Sequence, residues 1–208
     1  MARVTTAVLL AMVVTIGGGT GRMAAQTAAP SEVDSLRHPY SRADIDFMTG
    51  MIGHHAQAVL IAGWAPTHGA SPALLDLCSR IVNGQSDEIK WMQHWLADRH
   101  QPVPSGAPMH DMMPDMDMSK TMPGMLSPTQ LTQLDSARGP EFDRLFLTDM
   151  IHHHTGALIM VKQLMGTPSA AQDPLTFKFV SDINADQTIE IDRMKGMLLP
   201  LELGANGP

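Results

Sequence analysis

Two stretches carry the residues whose types and spacing could do chemistry: Met51-Ile52-Gly53-His54-His55 and Met150-Ile151-His152-His153-His154. In each, a thioether precedes one imidazole by three residues and the next by four. On a helix those offsets are neighbours, one turn apart. Thioether sulfur and imidazole nitrogen together suit Cu(I), and the imidazoles also admit Cu(II). The chain has 18 Met and 10 His among its 208 residues but one Cys, Cys78, so soft ligands are abundant while thiol is nearly absent.

Both stretches belong to a longer repeat. Asp44, Phe47, Met51, Ile52, His54, His55 and Ala58 recur as Asp143, Phe146, Met150, Ile151, His153, His154 and Ala157, at a constant offset of 99. Further on, Gln85, Glu88, Ile89 and Met92 recur as Gln187, Glu190, Ile191 and Met194, at an offset of 102. Asp44, Phe47, Met51, His54, Ala58, Ile61 and Ala65 alternate steps of three and four, the stripe that a bundle helix buries. The second copy gives Asp143, Phe146, Met150, His153, Ala157, Met160 and Leu164. His55 and His154 stand about 100° round from the stripe. The partner stripes are Cys78, Val82, Gln85, Ile89, Met92, Leu96 and Val180, Asn184, Gln187, Ile191, Met194, with Glu88 and Glu190 at their edges.

A buried amide or carboxylate is unfavourable unless bonded, paired or metal-bound. The same polar set occurring twice points to a shared cause. His54, His55, His153, His154, Met51, Met150, Met92 and Met194 are therefore the candidate metal ligands. Gln85, Glu88, Gln187 and Glu190, with Asp44 and Asp143, are the candidate outer partners that orient the imidazoles. The plain alternative makes each His a hydrogen-bonded core residue and each Met core filler. Duplication in matching registers weighs against it. His152 has Gly53 as its counterpart and is expected to face outward.

The positioning elements are helices. Ser41 and Asp44 form a capping-box signal for a helix to about Ala65, ended by Pro66 to Gly69. Ser71-Pro72 opens a second helix, to about Arg99. Ser127-Pro128 opens a short one, to about Ala137. Gly139-Pro140 precedes a third long helix to about Met165, and Asp173-Pro174 a fourth that should end before Pro200. Two such hairpins predict an all-α fold, an antiparallel four-helix bundle with a pseudo-twofold axis. The expected organisation is a signal peptide over 1–30, a first hairpin over 31–101, a Met/Pro-rich linker over 102–126, a short helix and second hairpin over 127–200 in the same domain, and a tail over 201–208.

The linker is unusual. Prolines at 102, 104, 108, 114 and 123 forbid regular helix. Among them stand Met109, His110, Met112, Met113, Met116, Met118, Met122 and Met125, interleaved with Asp111, Asp115 and Asp117. Such a segment should be unable to bury its side chains. Exposed Met has no packing purpose, so a labile Cu(I) or Ag(I) collecting loop is expected. A linker of biased composition, or oxidation-scavenging Met, are the alternatives.

Arg3 followed by the apolar run Val4 to Ile16 and then small residues reads as an export signal, with an uncleaved anchor as the alternative. Its removal takes two arginines and no acid, moving the formal charge from −7 to −9. An acidic chain argues against nucleic acid and anionic membranes as partners. Cys78 has no second Cys to pair with and reads as a small core residue, with a metal ligand or an intermolecular bridge as the alternatives. No phosphate loop, dinucleotide fingerprint or Ser/His/Asp arrangement occurs, which leaves nucleotide binding and hydrolysis without support.

Met51-Ile-Gly-His54-His55-Ala-Gln-Ala and Met150-Ile-His-His153-His154-Thr-Gly-Ala resemble the hallmark of the "domain of unknown function 305" family. Met122-Pro-Gly-Met125-Leu-Ser-Pro-Thr-Gln-Leu and Phe142-Asp143-Arg144-Leu-Phe146-Leu are similar to it too. The resemblance spans roughly 36–198. It implies a ferritin-like helical fold and, for exported members, copper binding. Gly53 and Trp64 depart from the common pattern, so the two half-sites need not be equal. The expected function is an extracytoplasmic protein that sequesters or hands on copper, Cu(I) by preference, as a monomer or small homo-oligomer with an unidentified delivery partner. Against it stand a redox enzyme, either a Cu(I) oxidase or a di-iron or di-manganese centre, and a metal-free structural bundle.

Overall fold

Helix starts are set by local chemistry. In the computed structural model, which describes residues 39–107 and 117–204, every regular element is helical. Helix α1 is Arg42–Gly63, and Ser41 and Asp44 cap it reciprocally, with Ser41 N donating to Asp44 Oδ2 at 2.6 Å. Helix α2 is Pro72–Asp98, capped by the Ser71 hydroxyl. Helix α3 is Pro128–Ser136, with a capping box between Ser127 and Gln130. Helix α4 is Pro140–Met165 and starts from Gly139, at φ 59°. Helix α5 is Pro174–Glu202, capped by Asp173. A proline at the first helical position loses nothing, since that N–H has no partner in a helix.

α5 departs from the sequence expectation by running through Pro200 to Glu202. A proline this close to a helix end forfeits one hydrogen bond, and few turns beyond it need aligning.

α1 lies along α2, α4 along α5, α1 against α4, and α3 on α4. Two apolar clusters form. One joins the end of α1 (Ala58, Ile61), the start of α2 (Leu74, Leu77), the start of α4 (Phe142, Phe146) and the end of α5 (Ile191, Leu198). The other joins the opposite halves of the same four helices, including Phe47, Leu96, Val161 and Phe179. Neighbouring long helices therefore run antiparallel. The buried face of the partner helices passes through Ile81 and Ile183, not Val82 and Asn184 as the stripes predict, and Asn184 is exposed. A buried stripe of 3.6-residue helices drifts from a strict three-four alternation, and here a step of four leads into each glutamine. Cys78 is buried and free, and burial pushes its thiol up to about 12, as befits an unreactive core residue.

Asp44 and Asp143 do not orient the imidazoles. Asp44 Oδ1 accepts from Ala171 N at 2.7 Å, in the loop joining α4 and α5. Asp143 accepts from Ser71 N at 3.2 Å, in the loop joining α1 and α2. Each aspartate ties the loop of the opposite hairpin. Ten residues of helix, about 15 Å, separate each from its histidine. Removing Asp44 therefore strips a cap and orphans a buried N–H. Asp44→Ala is expected to lower stability by about 2–3 kcal/mol in chemical denaturation. Metal affinity, measured on the same protein, should stay within about twofold; a large drop would place Asp44 at the metal after all.

Candidate metal centre

Between the two apolar clusters lies a polar layer. α1 and α4 meet at His54 and His153, whose ring centroids are 3.8 Å apart with a 39° interplanar angle. His55 is 6.4 Å from His54, and His154 is 6.1 Å from His153. All four side chains are fully buried. The stripe places one imidazole of each pair on the α1–α4 seam, and the next residue turns towards the hairpin partner.

There each meets a carboxylate. His154 Nε2 and Glu190 Oε2 share a hydrogen bond of 2.6 Å. His55 Nε2 stands 2.7 Å from Glu88 Oε2, within ion-pair reach but out of line for a hydrogen bond. The two contacts are counterparts under the repeat, one in each hairpin. A carboxylate behind an imidazole fixes the ring and raises its basicity as a ligand.

Eight further buried polar atoms of the layer have no protein partner. They are Nδ1 of all four histidines, Nε2 of His153, both amide atoms of Gln85, and Oε1 of Gln187. Native cores pair the great majority of buried polar groups, and an unsatisfied one costs about 1–3 kcal/mol. So many in one layer is the pattern a bound ion or ordered water relieves. Burial, reinforced by the neighbouring His55, drives the His54 pKa down to about 3, and burial holds His153 well below the ordinary range. Both rings are therefore neutral and keep a lone pair for a metal. Met51 and Met92 lie in the cluster on one side of the layer, Met150 and Met194 in the cluster on the other, all fully buried. Among the described residues no three His, Cys, Asp or Glu side chains gather closely enough to hold a metal. An ion bound by these residues would need sulfur as well as nitrogen, and this donor set fits Cu(I).

The depressed values set the acid stability of the metal-free protein. The folded state keeps His54 neutral down to about 3, while an unfolded histidine takes a proton near 6.5. Below 6.5 the unfolded state binds more protons, so stability falls as pH drops from 6.5 towards 3. Denaturant midpoints of chelator-treated protein at pH 7 and 4.5 should show that loss, and saturating metal should reduce it. Equal midpoints would mean the rings are not held neutral.

A feature absent from the sequence expectation lies over the His54–His153 pair. Residues Met122 to Leu126 cross it as a strap. Pro123 O stands 3.1 Å from His54 Nε2. The Gln57 side chain clasps the strap twice, receiving from Leu126 N at 2.8 Å and donating to Leu126 O at 3.2 Å. On the α4 side, a Cβ on Gly156 would stand 2.2 Å from Pro123 O. For the last part of the linker the collecting-loop expectation is corrected: Met125 is 2% exposed, and Met118 and Met122 are half-buried. The clasp and the Gly124–Gly156 approach pull this end of the linker onto the helices. Met109, His110, Met112, Met113 and Met116 lie outside the described residues, as does the expected signal over 1–30. His152 faces outward as expected.

Fold and layer together define a class: an all-helical protein with a duplicated hairpin and buried imidazoles between methionines. The chain belongs to the family described as Domain of unknown function (DUF305), which it matches over residues 44–198. A DUF305 fragment from Deinococcus radiodurans is 26% identical, with a TM-score of 0.65, covering 77% of this chain and 97% of that one. A DUF305 protein from Streptomyces coelicolor, at 23% identity and a TM-score of 0.65 over 77% of this chain and 94% of that one, shares the fold. CopM in its Cu(II)-bound form is 30% identical, with a TM-score of 0.60, covering 75% of this chain and 95% of that one. CopM structures with Cu(I) and with Ag are similar too. No curated protein matches. No described helix is long and apolar enough to cross a membrane.

Proposed function

We propose that this protein binds copper outside the cytoplasm, sequestering Cu(I) or handing it on, with Cu(II) and Ag(I) as further cargo. The observation that carries this is the layer of unpartnered imidazole nitrogens between two pairs of buried methionines. His54, His153, His55 and His154 supply nitrogen, and Met51, Met92, Met150 and Met194 supply sulfur. Glu88 and Glu190 orient their imidazoles, with Gln85 and Gln187 beside them. The four long helices act as a ferritin-like bundle that holds this set, and the methionines of residues 109–116 collect the ion. Residues 1–30 direct export. The copper and silver complexes of CopM support the choice of metal.

A di-iron or di-manganese centre is less well supported. It requires about four Glu and two His, with Glu-x-x-His on two helices. No Glu-x-x-His occurs in the chain, and Asp44 and Asp143 are committed to the loops.

The test is a Cu(I) competition titration against a chromophoric chelator. It compares the parent with His54→Ala/His55→Ala, His153→Ala/His154→Ala, and a variant with Met109, Met112, Met113 and Met116 changed to Ser. Loss of tight binding with either His pair places the metal in the bundle. Loss only in the Ser variant moves it to the linker. A parent that does not compete, and that purifies with iron or manganese, overturns the proposal.

A further inference from the structure

The four long helices leave one side open. α2 and α5 run antiparallel with their backbones apart, unlike the three closely packed pairs. Between them lies a groove with a volume of about 230 Å³. Its walls include Gln85, Glu88, Asp186, Gln187 and Glu190, together with Arg80 and Arg193. Gly84 also lines it, and a Cβ there would meet nothing within 4 Å.

Three features make this groove more than an acidic patch. First, Glu88 and Glu190 are each about one-fifth exposed, at 20% and 23%, while an oxygen of each lies 2.7 and 2.6 Å from a fully buried imidazole. Each carboxylate therefore spans from groove to metal layer. Second, Gln85 and Gln187 are 3% exposed and line the groove with amide atoms that have no partner. Third, Asp186 lines the same groove as both glutamates, and burial, then the charges of Glu88, Glu190 and Asp182, raise its carboxyl above the ordinary value against the pull of Lys178. Three acids share one cleft with Arg80 and Arg193, no described ion pair joins those arginines to them, and the acids outnumber the arginines. The opposite approach, over His54 and His153, is covered by the strap.

We propose that the α2–α5 groove is the port through which the metal cation enters and leaves, with Asp186 drawing it in and Glu88 and Glu190 passing it, beside the amides of Gln85 and Gln187, to His55 and His154. No bond is made or broken beyond exchange of ligands: the ion sheds water for carboxylate and amide oxygen, then those for nitrogen and sulfur. Hard oxygen donors hold a soft ion weakly, which suits a transit position and not a resting one. A cleft whose carboxylates outnumber its arginines favours the approach of a cation, by less than one lined by a single sign of charge.

This rests on the metal-binding function proposed above, and the experiment separates the two. The probe is aqueous Ag(I), supplied as nitrate to the full chain. Equilibrium affinity is measured by titration, and loading rate by stopped-flow tryptophan fluorescence. Asp186→Asn removes charge without touching a histidine, and Gly84→Leu fills the groove where there is room for a side chain. Asp186→Asn should slow loading roughly three- to tenfold and flatten its dependence on nitrate concentration, with affinity within about twofold of the parent. Gly84→Leu should slow loading and release by similar factors, again at unchanged affinity. Parent rates in both variants would overturn the port while leaving the bound site intact. Faster loading in Gln57→Ala, which unclasps the strap, with no change in the groove variants would place the entrance on the other side. If the parent binds no Ag(I), the metal-binding function fails, and the port with it.

Discussion

His153→Leu is expected to make the metal-free protein more stable while destroying its grip on copper. His153 is fully buried, and neither of its ring nitrogens has a partner. A leucine of similar bulk removes both orphaned groups and adds apolar contact, so stability should rise by about 1–3 kcal/mol. Copper affinity should fall by more than the roughly ten- to hundredfold that loss of an orienting partner brings. A histidine kept for packing would behave the other way round, with lost stability and unchanged metal binding. His54→Leu makes a useful companion. His54 Nε2 contacts Pro123 O, so its loss orphans a carbonyl in the strap, and the stability gain should be smaller. Denaturant unfolding in the presence of a strong chelator reads the first effect, and chelator competition reads the second. An apo protein weakened by His153→Leu would mean that something other than metal holds that ring.

Gly156→Ala is expected to have the largest purely structural effect. The added methyl would sit 2.2 Å from Pro123 O and 2.4 Å from Gly124 Cα, both backbone atoms that cannot rotate away. Overpacking a close contact costs about 1–3 kcal/mol, and here the strap must also leave Gln57 and His54. Gly84→Ala serves as the opposite case. Gly84 is also mid-helix but has open space, so the same change should stabilise by about 0.5–1 kcal/mol through backbone entropy and helix propensity. Opposite signs for two glycines in equivalent backbone conformations would show that the strap is docked against α4. The same sign for both would mean that it is not. Loss of the strap should also expose the His54–His153 pair and speed metal exchange.

Much of this was legible in the sequence because it is periodic or local. Ser41 with Asp44, Ser71-Pro72, Ser127-Pro128 and Asp173-Pro174 fix helix starts through bonds within one turn. The three-four stripe fixes which side chains are buried along α1 and most of α4, and on α2 and α5 from Gln85 and Gln187 onward. The repeat brings His54 and His153 to corresponding places, and the offset of 102 lines up Glu88 and Glu190 behind the outer imidazoles. Each of these depends on contacts within a helix or between adjacent ones.

What spacing could not give were contacts that depend on where distant segments cross. Asp44 and Asp143 lie on the buried stripe and read as outer partners of the imidazoles, but each reaches the loop of the other hairpin, which only antiparallel docking of the two repeats brings near. Met125 sits in a proline-rich linker that periodicity treats as unstructured, yet it is buried because Pro123 and Gly124 fit against a helix. The clue was present, since Gln57 and Gly156 are counterparts under the repeat offset of 99. In one copy that position holds a long amide and in the other nothing. A sequence shows such a difference but not its purpose; that requires the strap to lie between the two residues, clasped by one and admitted by the other. The sequence by itself determined the helices, most of their buried faces and the imidazole pairs, because those follow from helical geometry. The tertiary structure decided which polar atoms are left without partners and which face of the layer stays open, because both depend on how four separate helices and one linker share the same space.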